Sequence, residues 1–350
     1  MSTIAAPFAT VVVSPRDAFT HAMQCLHRLL ECTPAPRRIV YVDGGSPASL
    51  ARELEACAVA EDFALLRSDC VLTPNHARNL ALDLVRAGYE PGWTAFVDND
   101  AYVEPGWLER LRECGEETGA VAVVPLLSIG LAERRRIHVA GGDSAILEED
   151  GVRRFEESHP YGNEPVHPAR EQMSRRPCGL FEFHCVLVRT PQLRAVAPLD
   201  EGLPSLLEHV DLGFALRQQG AEVWFEPDVE VTYLPGKINR GDGRRYFVTR
   251  WSEERNQASV DRFRENWRLP VTDPEMTQYI EFGAWMRAHA YRPYRSPFVR
   301  RTARHGRYPR SLIDRIAQRD ARRWYRRQVA ASGPPRVVHR PSWLETPVDV

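Results

Sequence analysis

Trp93-Thr94-Ala95-Phe96-Val97-Asp98-Asn99-Asp100 is the stretch that decides the fold of this 350-residue chain. Five apolar or β-favouring residues without polar alternation describe a strand covered on both faces, and an acidic triplet ends it. Working outward, the same kind of run recurs at Thr10 to Ser14, Arg38 to Val42 and Phe63 to Leu66. Helical patterns fill the intervals at Phe19 to Leu30, Pro47 to Cys57 and Asn75 to Ala87. Repeated β-α punctuation with fully apolar strands predicts an α/β fold: a mostly parallel sheet with helices on both faces. A further strand is expected at Ala120 to Val124 and another at Phe183 to Val188. A helix is expected from Leu207 to Gln219, then strands at Glu222 to Phe225 and Val229 to Tyr233. Residues 128–177 read as irregular, and beyond Leu234 the pattern turns helical and basic.

Composition sets the bounds. Hydrophobic residues make up 43% of the chain, enough for a large buried core. No run of eighteen apolar residues occurs, and Met1 to Pro7 lack a basic start and apolar stretch, so a cytoplasmic protein is expected. Seven scattered cysteines, with no Cys-x-x-Cys pair, read as buried reduced thiols and argue against zinc or a disulfide framework. Net charge is −1, yet residues 271–350 hold sixteen Arg against seven Asp and Glu, leaving −10 for the first 270. The run Arg315 to Arg327, with Trp324 and Tyr325, could meet anionic lipid at a membrane periphery. A solvated helix packed on the main body is the simpler account, and no nucleic-acid partner is expected.

In a parallel α/β sheet, ligands bind beyond the carboxyl ends of the strands. That edge receives Ser14-Pro15-Arg16, Asp43-Gly44-Gly45-Ser46 and Asp98-Asn99-Asp100. Asp98 and Asp100, one residue apart at a sharp turn, can share a divalent cation, and oxygen ligands suit Mg²⁺ or Mn²⁺. Asp43 can accept a hydrogen bond from a nucleobase or ribose, while Gly44 lets the backbone approach closely. Arg78, in Asn75-His76-Ala77-Arg78-Asn79, can reach a diphosphate. Each fragment alone also reads as an ordinary turn, helix opening or surface pair. His184 and Cys185 fall within an apolar strand and read as core rather than as metal ligands.

The ordered set Val-Val-Val-Ser, Val-Asp-Gly-Gly-Ser, Ala-Arg-Asn-Leu-Ala, Phe-Val-Asp-Asn-Asp and Glu208-His209-Val210-Asp211-Leu212 resembles glycosyltransferase family 2. The likeness runs from Thr10 to about Leu269. It implies the GT-A fold, a hexosyltransferase-like activity with inversion, a nucleoside-diphosphate sugar donor and a glycan, lipid-linked or small-molecule acceptor. It further implies that Asp43 binds the base, that Asp98 and Asp100 form the Mg²⁺ or Mn²⁺ diphosphate motif, and that the Glu208 segment faces the acceptor. Ser14, Pro15, Arg16, Gly44, Arg78, Asn79 and Asn99 complete the nucleotide-sugar set. The expected organisation is a catalytic unit over 1–269, with a donor half to about 127 and an acceptor half over 128–269, followed by a basic, mainly helical region over 270–350.

Two departures matter. His209 stands where the family's catalytic aspartate is expected. Imidazole is a competent proton acceptor at neutral pH, and Glu208 and Asp211, three apart on a helix, are the alternatives. Tyr233 stands where a late metal-binding histidine is common. Two rival readings remain: a sugar-nucleotide nucleotidyltransferase, against which the missing glycine-rich basic loop after the first strand speaks, and a non-catalytic binding scaffold.

Overall fold

The computed structural model of the protein describes residues 8–86, 92–130, 134–236, 238, 241–290 and 312–345. Ala87, Lys237 and the Met1 to Pro7 segment lie outside these residues. β1 (Ala9–Ser14) leads to α1 (Ala22–Cys32), β2 (Arg38–Gly44) to α2 (Ala48–Glu61), and β3 (Ala64–Ser68) to α3 (Pro74–Arg86). β4 (Trp93–Asp98) and the short β5 (Ala101–Tyr102) precede α4 (Trp107–Thr118) and β6 (Ala122–Ile129). Next come β7 (Arg136–Val139), the hairpin β8 (Asp143–Glu149) and β9 (Val152–Ser158), α5 (Val166–Arg170), β10 (Arg176–Cys178), β11 (Cys185–Arg189) and α6 (Thr190–Val196). They are followed by α7 (Glu208–Gln218), β12 (Val223–Tyr233), α8 (Gly241–Arg250), α9 (Glu253–Trp267) and α10 (Pro274–Ala290). α11 (Leu312–Ala331), β13 (Arg336–His339) and α12 (Ser342–Glu345) close the described chain.

One sheet organises the molecule, in the order β10-β12-β6-β11-β4-β1-β2-β3-β13. β4, β1, β2 and β3 run parallel, and β11 runs against both β4 and β6. Successive side chains of a strand point to opposite faces, so an all-apolar strand feeds two cores. In β1, Val11 and Val13 join one buried cluster and Val12 joins the other. In β4, Ala95 and Val97 join the first and Phe96 the second. Amphipathic helices cover these faces: α1 buries Ala22, Cys25, Leu26, Leu29 and Leu30, the spacing of one helical stripe.

Three segments differ from the sequence reading. The described residues of 128–177 hold β7, the β8-β9 hairpin, α5 and the start of β10 where an irregular stretch was expected. Along β9 only Phe155 is buried, so the strand shows no apolar alternation. The two strands expected at 222–233 are one strand, β12, whose pairing to β6 slips between Glu226 and Glu230. A bulge breaks the pattern while the strand continues. The C-terminal region contributes β13 to the sheet edge beside β3, in addition to helices. Ser342 Oγ donates to Asp62 Oδ2 (2.6 Å), and Arg336 meets Asp69 (2.7 Å). The Arg-rich α11 packs on α8, with Arg245 Nε 3.0 Å from Asp320 Oδ2. No helix of the described residues is long and apolar enough to cross a membrane, and the seven cysteines are free thiols.

Candidate active site

The parallel register sets β1 and β4 side by side, with Ser14 opposite Asp98. Asn99 ties the two strand ends together. Its backbone N–H donates to Ser14 O (2.9 Å), its Oδ1 accepts from Arg16 N–H (2.9 Å), and its Nδ2 donates to Ala18 O (3.2 Å). These three bonds serve the loop that carries Arg16. Asn79 plays a similar part, exchanging hydrogen bonds with both backbone groups of Leu199 (2.9 Å each) and donating to Glu201. These two expected nucleotide ligands therefore hold the frame.

Asp98 and Asp100 are both buried, and their surroundings differ. Asp98 accepts from Ser14 Oγ (3.4 Å) and lies near Arg16 (3.7 Å), Arg78 (3.6 Å) and His184 Nδ1 (3.1 Å). Burial pushes its carboxyl up, but His184 and the two arginines outweigh this and hold it below the usual carboxylate range. Both oxygens of Asp100 are buried with no hydrogen-bond partner among the described residues. Burial, then the charges of Asp98 and Asp17, push its carboxyl well above the usual range.

His184 is the residue that sequence reasoning placed in the core. The antiparallel register of β11 on β4, Cys185 opposite Val97, brings the preceding His184 against Asp98. Ligand atoms of Asp98, Asp100 and His184 lie within 4.8 Å of one another. Both Asp100 oxygens have no hydrogen-bond partner among the described residues, while Asp98 Oδ2 and His184 Nδ1 face each other at 3.1 Å. Unsatisfied buried lone pairs of this kind are costly unless a cation or proton meets them. The donor set, two carboxylates and an imidazole, suits a divalent cation such as Mn²⁺ or Mg²⁺. Tyr233 does not supply a ligand of the expected histidine type; its ring stacks on His184 at 4.6 Å, and His138 meets the same imidazole edge-on at 5.2 Å.

A ring of charge encloses this cluster. Glu208, at the start of α7, is fully buried and faces Arg16 (3.2 Å), Arg250 (3.6 Å) and Arg78 (3.9 Å). Asp17 accepts from Trp251 Nε1 (2.8 Å) and Tyr233 Oη (3.4 Å). Asp17, Asp98, Asp100, Glu182 and Glu208 surround Arg16, Arg78 and Arg250, five carboxyl groups with three guanidiniums. Arg78 is wholly buried, stacked over Phe183 at 3.4 Å and bonded to Asn75, so it orders the carboxylates rather than standing free.

The three alternatives on α7 point in different directions. Glu208 is held in the arginine ring. Asp211 accepts from Trp267 Nε1 (2.8 Å) and Asn266 Nδ2 (3.0 Å) beside a cavity of about 170 Å³ that Asp200 and Leu212 also line. His209 turns to Glu182, Nε2 to Oε1 3.4 Å. At the other end of the edge, Asp43 is bonded to Ser46 Oγ (2.7 Å) and to Arg67. A side chain at Gly44 would sit 3.0 Å from Pro15, so β1 and β2 approach here as glycine alone allows.

Asp17, Glu182, His184 and Arg250 were not singled out from the sequence as site residues. Asp17 directly follows the Ser14-Pro15-Arg16 strand end, a signal that could have found it. The others are brought in by β11 and α8, far along the chain.

Residues 22–170 match the model of the family described as glycosyl transferase family 2. The matched span contains Asp43, Arg78, Asp98 and Asp100, while Arg16, His184, Glu208 and His209 lie outside it. Similar solved structures include the crystal structure of GalNAc-T7 with UDP, GalNAc and Mn²⁺, at 15% identity and TM-score 0.49 over 81% of this chain and 55% of that one. Another is the crystal structure of S. aureus TarS, at 12% identity and TM-score 0.44 over 77% and 44%. The chain spans about half the length of these structures. No curated protein matches it. Residues 22–170, somewhat less than half of the chain, are thus similar to glycosyl transferase family 2.

Proposed function

We propose that this protein transfers a sugar, with inversion, from a nucleoside-diphosphate sugar to an acceptor hydroxyl, and that Mg²⁺ or Mn²⁺ supports the reaction. The observation that carries the reading is the buried cluster of Asp98, Asp100 and His184, in which both Asp100 oxygens lack a partner among the described residues, at the strand edge of a segment similar to family 2. When bound there, the cation offsets charge that develops on the leaving diphosphate. Asp43, with Arg67 and Ser46 around it, is the group at the far end of the same edge suited to a nucleoside. Arg16 and Arg78 hold Asp98 ionised. Glu208 keeps Arg16, Arg78 and Arg250 together as a single charged frame, which leaves it unsuited to proton transfer. His209 is the base of this reading, because the Asp211 carboxylate already accepts hydrogen bonds from Trp267 and Asn266.

Calorimetric titration with UDP, GDP and dTDP, with and without Mn²⁺, tests the reading, followed by a screen of nucleotide sugars for metal-dependent hydrolysis. Binding of one nucleotide that depends on Mn²⁺ in the wild type and is lost in Asp98→Ala/Asp100→Ala is the expected result. Absence of any nucleotide binding would instead favour the scaffold.

A further inference from the structure

Within the glycosyl-transfer reading, we propose that Glu182 is the positioning residue of a carboxylate–imidazole pair that fixes His209 as a base acting through Nδ1. The loop between β10 and β11 alternates like a strand. Phe181 and Phe183, each about 1% exposed, are locked in the core edge-to-face at 5.8 Å, while Glu182 and His184 turn the other way. The loop is pinned at its start, where Gly179 and Leu180 N–H groups both donate to Gly142 O (3.1 and 2.9 Å). Glu182 has little freedom to choose another partner.

His209 is held equally firmly. α7 begins after Leu207, a fully buried branched residue at φ 70°, a left-handed conformation that such a side chain adopts only when its surroundings impose it. The first turn of the helix is thereby fixed, and His209 Nε2 lies 3.4 Å from Glu182 Oε1. A carboxyl oxygen facing Nε2 favours the tautomer with its proton there, which leaves the lone pair on Nδ1. Arg16, His184 and His138 also face Glu182, and its Oε2 is buried without a hydrogen-bond partner among the described residues, so His209 is the group in ion-pair contact with this carboxyl.

The step balances without another reactant. The acceptor O–H proton passes to Nδ1 and the hydroxyl oxygen forms its bond to the anomeric carbon. The bond from that carbon to the diphosphate oxygen breaks, and its electron pair leaves with the diphosphate. Glu182 then faces an imidazolium and stabilises it, as a buried carboxylate does behind any imidazole base.

The full chain, labelled with ¹⁵N-histidine, allows two independent arms. Long-range ¹⁵N–¹H spectra, with His209 assigned by its disappearance in His209→Ala, should show the Nε2–H tautomer in the wild type and a mixture of tautomers in Glu182→Gln and Glu182→Ala. In turnover with the donor found by the nucleotide-sugar screen, His209→Ala should lose about 10²–10⁴-fold in kcat. Glu182→Gln should lose about 10–100-fold with the donor KM within twofold, and should add little on top of His209→Ala because the pair acts as a unit. An Nδ1–H tautomer in the wild type overturns the pair. So does wild-type kcat in Glu182→Gln, or an undiminished effect of Glu182→Gln on His209→Ala. If the wild type turns over no donor, the glycosyl-transfer reading fails, and the tautomer spectra alone decide whether Glu182 orients His209.

Discussion

The two halves of the central sheet build the site in opposite ways. From β1 to β4 the strands are parallel and apolar throughout, so their carboxyl ends deliver Asp43, Asp98 and Asp100 to one edge by topology alone. From β6 onward, the lead-in to an antiparallel strand, the start of α7 and the end of α8 bring in Glu182 and His184, Glu208, and Arg250 from separate places. The first half supplies Asp98 and Asp100 together with Arg16 and Arg78; the second adds two more carboxylates, Glu182 and Glu208, with Arg250 and His184. The difference teaches that the charge state of the site belongs to the assembled sheet and not to the acidic triplet.

The largest test of this division lies within the triplet. Asp98→Asn and Asp100→Asn should each cut metal-dependent turnover by about 10³-fold or more, since each removes a charge aimed at the cation and diphosphate. Their stabilities should diverge. Asp98→Asn leaves Arg16 and Arg78 buried with Glu208 as their one remaining shared counter-charge and should cost about 3–5 kcal/mol. Asp100→Asn removes an unpartnered buried carboxylate and should stabilise the metal-free protein by about 1–3 kcal/mol. Calorimetric scans with and without Mn²⁺ decide it, with Mn²⁺ raising Tm in the wild type and not in Asp100→Asn. Equal destabilisation by both changes would break the comparison.

Acid should separate the halves next. On the second half, burial, with the neighbouring charge of His184, pushes the His138 imidazole down to about 4. The unfolded chain then takes up a proton below pH 6.5 that the folded one refuses. Stability from this group is complete above 6.5 and falls as pH drops from 6.5 to 4, by about 2 kcal/mol for a partly buried ring. Burial raises Glu182, but His209, Arg16, His184 and His138 bring it down to about 2, so its share is present above about 4.5 and is lost between 4.5 and 2. On the first half, burial raises Asp43 against the pull of Arg67 and Ser46, the opposite sign: folding favours its protonated form, and its contribution improves as pH falls. Hydrogen exchange at pH 7 and pH 5 should therefore show β7 and β11 losing protection before β1 and β2. His138→Asn should flatten the limb between 6.5 and 4.

A smaller effect is expected at Asp211. Asp211→Ala removes acceptors for Trp267 and Asn266 and should cost about 1–2 kcal/mol in urea unfolding while leaving kcat within threefold. A loss of 10²-fold or more would make Asp211 the base and remove His209 from that role.

The same division explains what could be read in advance. β1 to β4, the intervening helices and the acidic strand ends were legible because parallel strands buried on both faces write their identity as unbroken apolar runs. The β8-β9 hairpin was not legible, because exposed strands such as β9, with one buried residue, carry no periodic signal. His184 looked like core because its neighbours Phe183, Cys185 and Val186 are core. Only the antiparallel register of β11 on β4, a contact between residues 184 and 98, turns it toward Asp98. Asp211 and His209 are two residues apart on one helix, and sequence spacing alone could not say that one faces Trp267 and the other Glu182. β13 was hidden in an arginine-rich tail whose two valines suffice for an edge strand and are too few for a pattern.

The smallest predicted effect is at Tyr233, where the second half departs from the family's usual histidine. Tyr233 touches the site in two ways: its ring stacks on His184 at 4.6 Å, and its hydroxyl donates to Asp17 Oδ2 across a long 3.4 Å. Tyr233→Phe keeps the first and deletes the second. A single long hydrogen bond to a carboxylate that also accepts from Trp251 is worth well under its usual 1.5 kcal/mol, so the expected cost is about 0.5–1 kcal/mol. Mn²⁺ affinity, measured by titration, should be unchanged within twofold, because the imidazole that faces Asp98 stays where the ring holds it. Tyr233→Ala should lower that affinity about tenfold by freeing His184 to rotate, the usual scale for removing a group that orients a metal ligand. If Tyr233→Phe alone produces the tenfold loss, the phenol oxygen belongs to the cation's surroundings. The second half then contributes an oxygen where the family commonly contributes a nitrogen.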